Sequence, residues 1–499
     1  MTTKVTINRL PTGVPGLDEV LGGGLPEFSF NLIAGQPGSG KTTLAHQIMF
    51  ALATPERSAI YFTVLGEPPL KMLRYQQQFD YFNSEAINSS IRFINLSEEA
   101  MEGDLDRVLR RIVEEVTTHS PGLVFVDSFR SVVVASQTQG MRPNNLQQFV
   151  QQLGMLMTSW RATTFLLGEY FTEADANPVF TVADGLIWMR QSVQRNSMVR
   201  KIEILKMRGQ PSLSGLHSFR LDTTGIKVFV PANAVLAAQG AASPAPPGTR
   251  LTMGIAGLDE MLGGGLPRGY SLLVAGPSGS GKSNLAAAFL SEGVRCGETG
   301  VIAPFEQDPN RSRDRTVANL IRSGHVGFVD MKALDVSIDE VLVLLLSEIR
   351  RLKATRVVID SLSGFELALA PTYRDDFRES LSRLVSSLAG AGVTMLMTTE
   401  LEDRYTDLRF SPYGTAFMTD AIIVQRYIEV ESRLRRVMAV VKVRASAHSD
   451  ELREYSIDGD GIHIGQTLPS QEGLLGGRPT HKPPTPPAAA DAVTVAGDA

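Results

Sequence analysis

Two stretches of this sequence have the residue types and spacing of a loop that binds nucleotide phosphates. Both match G-x-x-x-x-G-K-[ST], the first in GQPGSGKTT and the second in GPSGSGKSN. Glycines let backbone N–H groups converge on phosphate oxygens, the lysine reaches the terminal phosphates, and the hydroxyl after it ligates Mg²⁺. The predicted phosphate-binding residues are Gly35, Pro37, Gly38, Ser39, Gly40, Lys41, Thr42, Thr43, Gly276, Ser278, Gly279, Ser280, Gly281, Lys282, Ser283 and Asn284.

An aspartate ends a later apolar run in each half of the chain. Asp127 closes LVFVD and Asp360 closes RVVID, and a serine follows each. A carboxylate at the C-terminal edge of a parallel strand lies where such sheets bind ligands and supports Mg²⁺ through water. One aspartate after a strand is equally a turn starter, but its recurrence favours the metal role. The predicted metal-supporting residues are Thr42, Asp127, Ser283 and Asp360.

Hydrolysis also needs a carboxylate that orients or deprotonates the attacking water. The candidates follow the second predicted strand of each half: Glu67 in YFTVLGEPP and Glu306 in IAPFEQDP. The alternative for each is a solvated loop glutamate. With the two loop lysines, Lys41 and Lys282, they form the predicted catalytic set.

The elements that must position these residues occur in two copies. Residues 12–43 align without gaps to residues 253–284, an offset of 241 residues that indicates a duplicated domain. In the first copy the short apolar runs FNLIAG, AIYFTV and GLVFVDS alternate with segments of helical periodicity, LAHQIMFALA and LRRIVEEVTT. The second copy repeats this order. Continuous apolar strands separated by helices predict an α/β fold with a mostly parallel sheet flanked by helices.

A change in composition separates the copies. LAAQGAASPAPPGT has the Ala, Pro and Gly content of a linker, and the last residues of the chain are rich in Pro and Ala. We therefore predict an N-terminal ATPase domain over residues 1–235, a linker over 236–249 and a C-terminal ATPase domain over 250–466. Residues 467–499 are expected to be disordered because they bury too little apolar surface to offset the entropy of ordering.

Composition narrows the remaining function classes. The net charge of −5 over 499 residues disfavours nucleic acid as a partner. The one cysteine, Cys296, excludes an intramolecular disulfide and a cysteine-rich zinc site. Without an apolar run of about 18 residues, no membrane span is expected, and the predicted location is cytoplasmic.

The doubled GLDE–LGGGLP lead-in, the two phosphate loops, the two DS pairs and the later LKMRG together resemble the KaiC family of two-domain, RecA-like circadian clock ATPases. The resemblance covers about residues 10–466. It implies two tandem RecA-like P-loop NTPase domains, with ATP and Mg²⁺ held between neighbouring subunits of a homo-hexameric ring. It also implies KaiB-like or other signalling proteins as partners.

In that family the LKMRG strand supplies a lysine and an arginine to the nucleotide of the neighbouring subunit. The matching residues are Lys206 and Arg208 in LKMRG, and Lys442 and Arg444 in VKVRA. Cations that arrive from a neighbour would stabilise charge on the transferring phosphate. The alternative for a K-x-R strand is a solvated face.

The sequence departs from the family pattern at two places. The family has two adjacent glutamates after the second strand, whereas this chain has GE in the first copy and EQ in the second. The family's adjacent Ser-Thr phospho-acceptors align with Ala416 and Phe417, neither of which accepts phosphate. The remaining candidate acceptors are Ser411, Thr415 and Thr419.

Four functions follow from these residues. The leading hypothesis is a ring-forming KaiC-like ATPase that signals its nucleotide state to partner proteins. The second is a serine/threonine autokinase, and the third is a RecA- or DnaB-like DNA motor, which the net charge and the lack of a basic-aromatic strand-binding loop disfavour. In the fourth, one domain keeps ATP bound without hydrolysing it and holds subunits together by mass action.

Overall fold

The structure is a computed structural model, in which the chain forms two compact units. One is built mainly from residues 1–239, the first lobe, and the other mainly from residues 240–499, the second lobe. The described residues are 7–64, 69–101, 105–129, 143–171, 178–194, 197–231, 234, 248–305, 315–330, 336–369, 377–401, 417–430, 432–467, 471–472 and 480–481.

The first lobe alternates strands with helices along the chain. Its strands are β1 (Arg9–Leu10), β2 (Leu25–Pro26), β3 (Phe30–Gly35), β4 (Ala59–Thr63), β5 (Ile91–Asn95), β6 (Leu123–Asp127), β7 (Thr163–Glu169), β8 (Gly185–Gln194), β9 (Ser197–Met207), β10 (Leu216–Asp222) and β11 (Gly225–Val228). Its helices are α1 (Leu17–Leu21), α2 (Lys41–Leu52), α3 (Pro69–Gln76), α4 (Ser97–Met101), α5 (Leu105–His119), α6 (Pro143–Ser159) and α7 (Pro178–Val182).

The second lobe repeats this order. Its strands are β12 (Arg250–Leu251), β13 (Leu266–Pro267), β14 (Ser271–Gly276), β15 (Gly300–Pro304), β16 (Val326–Phe328), β17 (Arg356–Asp360), β18 (Thr394–Glu400), β19 (Ala421–Val430), β20 (Arg433–Val443), β21 (Arg453–Asp458) and β22 (Gly461–Thr467). Its helices are α8 (Ala256–Met261), α9 (Lys282–Arg295), α10 (Thr316–Arg322), α11 (Ile338–Leu352), α12 (Leu362–Ala368) and α13 (Phe377–Gly390).

Each lobe is centred on a nine-stranded sheet among its described residues. The order is β11-β10-β9-β8-β3-β7-β6-β4-β5 in the first lobe and β16-β15-β17-β18-β14-β19-β20-β21-β22 in the second. In the first sheet, the neighbouring strands β8-β3-β7-β6-β4-β5 are parallel, and in the second the neighbouring strands β16-β15-β17-β18-β14-β19 are parallel. The remaining neighbours in each sheet are antiparallel. The predicted α/β fold with mostly parallel sheets is confirmed, and an antiparallel extension is added to each sheet.

Both faces of the first-lobe sheet are covered by apolar core. Leu32 and Val126 belong to one buried cluster, whereas their strand neighbours Ile33 and Phe125 belong to another. Successive side chains of a strand point to opposite faces, so a strand that is apolar at every position has to be covered on both sides. This is why FNLIAG and LVFVD occupy interior positions, with the phosphate loop starting at the carboxyl end of β3.

The predicted linker and tail lie mostly outside the described residues. Within the predicted tail, Gln471–Glu472 pairs antiparallel with Thr480–His481. No helix in the described part of the chain has the length and apolar character needed to cross a membrane.

Candidate nucleotide-binding sites

Each phosphate loop joins the central strand of a sheet to a helix that starts at the loop lysine. Gly40 and Gly281 precede α2 and α9 with φ of 100° and 96°, a left-handed conformation that glycine adopts at little cost. A Cβ on Gly281 would lie 2.4 Å from Cδ1 of Ile457, so the fold also requires the missing side chain. No side chain caps either helix, which leaves the first N–H groups for an anionic ligand.

The loop lysines fold back over their own loops. The Nζ of Lys41 donates to the carbonyl of Gln36 at 2.9 Å, and Lys282 Nζ donates to the carbonyls of Gly276 and Pro277 at 2.9 Å each. Burial lowers the pKa of Lys41, and the negative charges of Glu169 and Asp127 oppose this shift. Both ammonium groups are thus held within the loops that the sequence predicts to bind phosphate.

The predicted metal-supporting residues meet in pairs, one pair in each lobe. Thr42 Oγ1 donates to Asp127 Oδ2 at 2.9 Å, and Ser283 Oγ donates to Asp360 Oδ2 at 2.8 Å. Each pair therefore brings a hydroxyl and a carboxylate together at the mouth of the phosphate loop. These are the oxygen donors that Mg²⁺ prefers, and two protein ligands leave positions for water and phosphate, so the donor set fits the ion.

A different group supports each aspartate. Tyr61 on β4 donates its phenol hydrogen to Asp127 Oδ2 at 2.7 Å. In the second lobe Thr398 on β18 donates to Asp360 Oδ1. Burial raises the pKa of the Asp127 carboxyl, while the hydrogen bonds from Tyr61 and Thr42 act in the opposite direction.

Two glutamates that the sequence analysis missed stand beside the phosphate loops. Glu169 ends β7 in register with Gly35, and Glu400 ends β18 in register with Gly276. The charge of Glu169 reaches both Lys41 and Asp127, since it raises the pKa of each. The sequence signal for them was a glutamate at the end of the same apolar strand in both copies, TTFLLGE and TMLMTTE.

In the second lobe these groups line one pocket of about 410 Å³, a size typical of small-molecule sites. Arg436 on β20 also lines it and was missed, because nothing near it in the sequence indicates a site. Its guanidinium lies 5.6 Å from the ring centre of Tyr427. The lining residues are Ser278, Gly279, Gly281, Lys282, Ser283, Asn284, Asp360, Ser361, Glu400, Arg436 and Ile457.

The K-x-R residues have the same local geometry in both lobes. Lys206 Nζ donates to the carbonyl of Thr181 at 3.0 Å, and Arg208 pairs with Asp184 at 3.2 Å. Lys442 Nζ donates to the carbonyl of Thr419 at 2.6 Å, and Arg444 pairs with Asp420 at 3.2 Å. Burial is the main cause of the lowered pKa of both lysines, and the neighbouring arginine adds to it.

A β-bulge precedes each of these lysines. The register of β8 and β9 shifts beside Lys206, and the register of β19 and β20 shifts beside Lys442. A bulge re-aims the side chains next to it. Neither Lys442 nor Arg444 belongs to the described lining of the second-lobe pocket, so their role toward a neighbouring subunit stays a prediction.

Several predicted residues lie outside the described part of the chain: Glu67, Glu306, Ser411, Thr415 and Ala416. Phe417 is 56% exposed, with the Arg378 guanidinium 4.9 Å from its ring centre. Thr419 is 1% exposed, and its hydroxyl has no hydrogen-bond partner among the described residues. Its hydroxyl is therefore closed off from solvent in this conformation.

Comparison with known proteins places the two lobes in one family. A family model described as "ATPase: KaiC" matches residues 10–233 and again residues 251–468. The chain is 26% identical over 496 residues to a circadian clock oscillator protein KaiC of Rippkaea orientalis, covering 96% of this chain and 92% of that protein. It is 27% identical over 497 residues to the circadian clock protein KaiC3 of Synechocystis sp., covering 95% of each.

Proposed function

Because the chain belongs to the KaiC ATPase family, as its motifs predict, we propose that both lobes bind Mg²⁺ and ATP and that ATP hydrolysis sets a signal to partner proteins. The two lobes are tandem RecA-like P-loop domains. The observation that carries the proposal is the pairing of hydroxyl and aspartate beside each phosphate loop, at 2.9 Å in the first lobe and 2.8 Å in the second.

The roles follow from the geometry of each loop. The uncapped N-terminus of α2 or α9 binds the phosphates through backbone N–H groups, and Lys41 or Lys282 neutralises the terminal phosphates. Mg²⁺, held by Thr42 with Asp127 or by Ser283 with Asp360, would neutralise charge that develops on the phosphate oxygens.

Two further roles depend on residues beyond these pairs. Glu67 and Glu306 orient or deprotonate the attacking water in their own lobes. Lys206, Arg208, Lys442 and Arg444 complete the site of the next subunit in a hexameric ring, which makes hydrolysis depend on assembly. The exposure of Arg208 and Arg444, and the matching bulges beside Lys206 and Lys442, support a position at a subunit boundary.

The proposed partners are other copies of this chain and signalling proteins of the KaiB type. The named relatives are circadian clock proteins that align over nearly the whole chain, which supports a signalling role for nucleotide state. Sedimentation with ATP and with ADP tests the ring. A hexamer with ATP supports assembly through nucleotide, whereas a monomer under both conditions contradicts it.

ATP hydrolysis by purified protein tests the central claim. Lys41→Ala and Lys282→Ala should each remove the contribution of one lobe, and the double variant should abolish turnover and nucleotide binding. Arg110→Ala, an exposed cation on α5, is the matched control and should leave both unchanged. If both single variants keep the full rate, the loops are not the source of activity. If only one lowers the rate, the other lobe holds nucleotide without turnover.

The autokinase alternative has less support from the described residues. Thr419 is closed off from solvent, and the family's acceptor pair is replaced by Ala416 and Phe417. Transfer to Ser411 or Thr415 stays a hypothesis that phosphopeptide mapping tests.

A further inference from the structure

The aspartates that support the metal are held from opposite sides in the two lobes. In the first sheet β6 lies between β4 and β7, and in the second β17 lies between β15 and β18. Asp127 receives its hydrogen bond from Tyr61 on β4, whereas Asp360 receives its hydrogen bond from Thr398 on β18. The two lobes thus use different neighbouring strands to anchor the same carboxylate.

The strand registers show that the hydroxyl-bearing residue lies at a different structural position in each lobe. Thr63 is the partner of Asp127, and Pro304 is the partner of Asp360, so Tyr61 and Ile302 occupy equivalent places two residues earlier. In the same way, Leu167 of the first lobe stands where Thr398 stands in the second, two residues before the terminal glutamates of β7 and β18. Each lobe therefore has a hydroxyl where the other has an aliphatic side chain.

The exchange changes which carboxylate oxygens are engaged. In the first lobe Asp127 Oδ2 accepts from Tyr61 at 2.7 Å and from Thr42 at 2.9 Å. Among the described side chains, Oδ1 of Asp127 receives no hydrogen bond. In the second lobe Oδ2 of Asp360 accepts from Ser283 at 2.8 Å while Oδ1 accepts from Thr398. Asp127 has one oxygen that accepts no hydrogen bond from the described side chains and is available to a water of the metal, whereas each oxygen of Asp360 already accepts one hydrogen bond.

The anchor in the first lobe is rigid. Tyr61 is fully buried, and its ring centre lies 4.6 Å from that of His46, 5.4 Å from Phe93 and 5.8 Å from Phe125. Packing on several sides prevents the phenol from turning away, so the hydroxyl stays directed at Asp127. Thr398 is also fully buried, and a β-branched side chain in a strand has few rotamers.

We propose that Tyr61 and Thr398 are positioning residues that set the Mg²⁺ requirement of nucleotide binding separately in each lobe. The proposal rests on the proposed function, because it concerns the same two sites. Tyr61 orients Asp127 with one oxygen available, so the first lobe binds Mg²⁺ with nucleotide at lower Mg²⁺ concentration. Thr398 engages the second oxygen of Asp360, so the second lobe needs more Mg²⁺. The two lobes therefore differ in their Mg²⁺ requirement because the first has Tyr61 and Leu167 where the second has Ile302 and Thr398.

The test measures equilibrium binding of a fluorescent ATP analogue while Mg²⁺ is titrated, with an EDTA sample as the metal-free reference. Lys282→Ala leaves the first-lobe site to be read, and Lys41→Ala leaves the second. In the first background Tyr61→Phe, which keeps the packed ring, should raise the Mg²⁺ concentration for half-maximal binding by roughly threefold to tenfold, the effect of losing one ordinary intramolecular hydrogen bond. Binding in EDTA should stay unchanged.

The reciprocal variants are the matched controls. Thr398→Val, which removes the hydrogen bond to Oδ1 of Asp360, should lower the Mg²⁺ requirement only in the Lys41→Ala background, and Tyr61→Phe should have no effect there. If Tyr61→Phe leaves the Mg²⁺ requirement unchanged in protein that binds the analogue, the inference is wrong while the proposed function stands. If Tyr61→Phe weakens binding equally in EDTA, the residue is structural and the inference is again wrong. Absence of analogue binding by the unmodified chain would refute the proposed function itself.

Discussion

Arg356 is a buried residue that links the elements carrying the second-lobe site, and its replacement tests these contacts. It starts β17, the strand that ends in Asp360, and is 1% exposed. Its Nε donates to Glu298 Oε2 at 2.6 Å, and its Nη1 donates to the carbonyls of Thr252 at 2.9 Å and Phe289 at 2.8 Å. Because Phe289 belongs to α9, Arg356 ties the helix after the phosphate loop to the strand that carries the aspartate.

Arg356→Met keeps most of the side-chain volume but removes every one of these donors. Two carbonyls lose a partner, at about 1–3 kcal/mol each where no water replaces it. Glu298 keeps only its ion pair with Arg268, and loss of one partner from a buried ion pair costs about 3–5 kcal/mol. Since these costs overlap and methionine recovers some apolar burial, we expect the second lobe to lose about 3–5 kcal/mol of unfolding free energy.

The two tryptophans allow the lobes to be followed separately. Trp160 and Trp188 both lie in the first lobe, so fluorescence reports its unfolding, while circular dichroism follows the whole chain. In urea, Arg356→Met should lower the second-lobe midpoint by about 1–2 M at the m-value of a domain of this size, and the fluorescence midpoint should stay in place. Arg322→Met, an exposed arginine on α10, is the control. If the second-lobe urea midpoint shifts no more in Arg356→Met than in the control, Arg356 does not stabilise the second lobe as proposed.

Three further outcomes are expected. Glu400→Gln should tighten binding of an ATP analogue in EDTA by about threefold, because one negative charge leaves a pocket that accepts phosphate, and weaker binding would contradict this reading. Burial lowers the pKa of His46 to about 4, so between pH 4 and pH 6.5 its imidazole is protonated in the unfolded chain and neutral in the folded lobe. First-lobe stability should fall as pH drops from about 6.5 to about 4, by up to about 3 kcal/mol, and His46→Leu should remove that slope, with fluorescence melts in the two proteins as the comparison. After incubation with Mg²⁺ and ATP, mass spectrometry should find no phosphate on Thr419, and its detection there would show that the segment opens.

The fold and the phosphate loops could be predicted because their signals are local. G-x-x-x-x-G-K-[ST] between an apolar strand and a helix needs only adjacent residues, and the duplication makes each half evidence for the other. The pairing of Thr42 with Asp127 could be anticipated from the same local signals, since Thr42 lies in the first turn of α2, directly after the phosphate loop, and Asp127 is the last residue of β6. The water-orienting roles of Glu67 and Glu306 stay predictions, because both lie outside the described residues.

Other parts of the site depend on contacts between strands that are neighbours only in the sheet. Tyr61 and Asp127 are 66 residues apart, and Thr398 and Asp360 are 38 residues apart, with no motif that joins either pair. The register of β7 with β3 and of β18 with β14 brings Glu169 and Glu400 to the phosphate loops. Arg436 reaches the pocket from an antiparallel extension that the apolar pattern did not predict.

The sequence by itself determined that this chain has two phosphate-binding loops on two α/β lobes, since loop chemistry and apolar periodicity are written in consecutive residues. Only the tertiary structure decided how the two sites differ. The loops are nearly identical in sequence, but strand order and register place a tyrosine beside one aspartate and a threonine beside the other. Which oxygens of each aspartate accept hydrogen bonds therefore depends on side-chain contacts across the sheet, and these exist only once the sheet has formed.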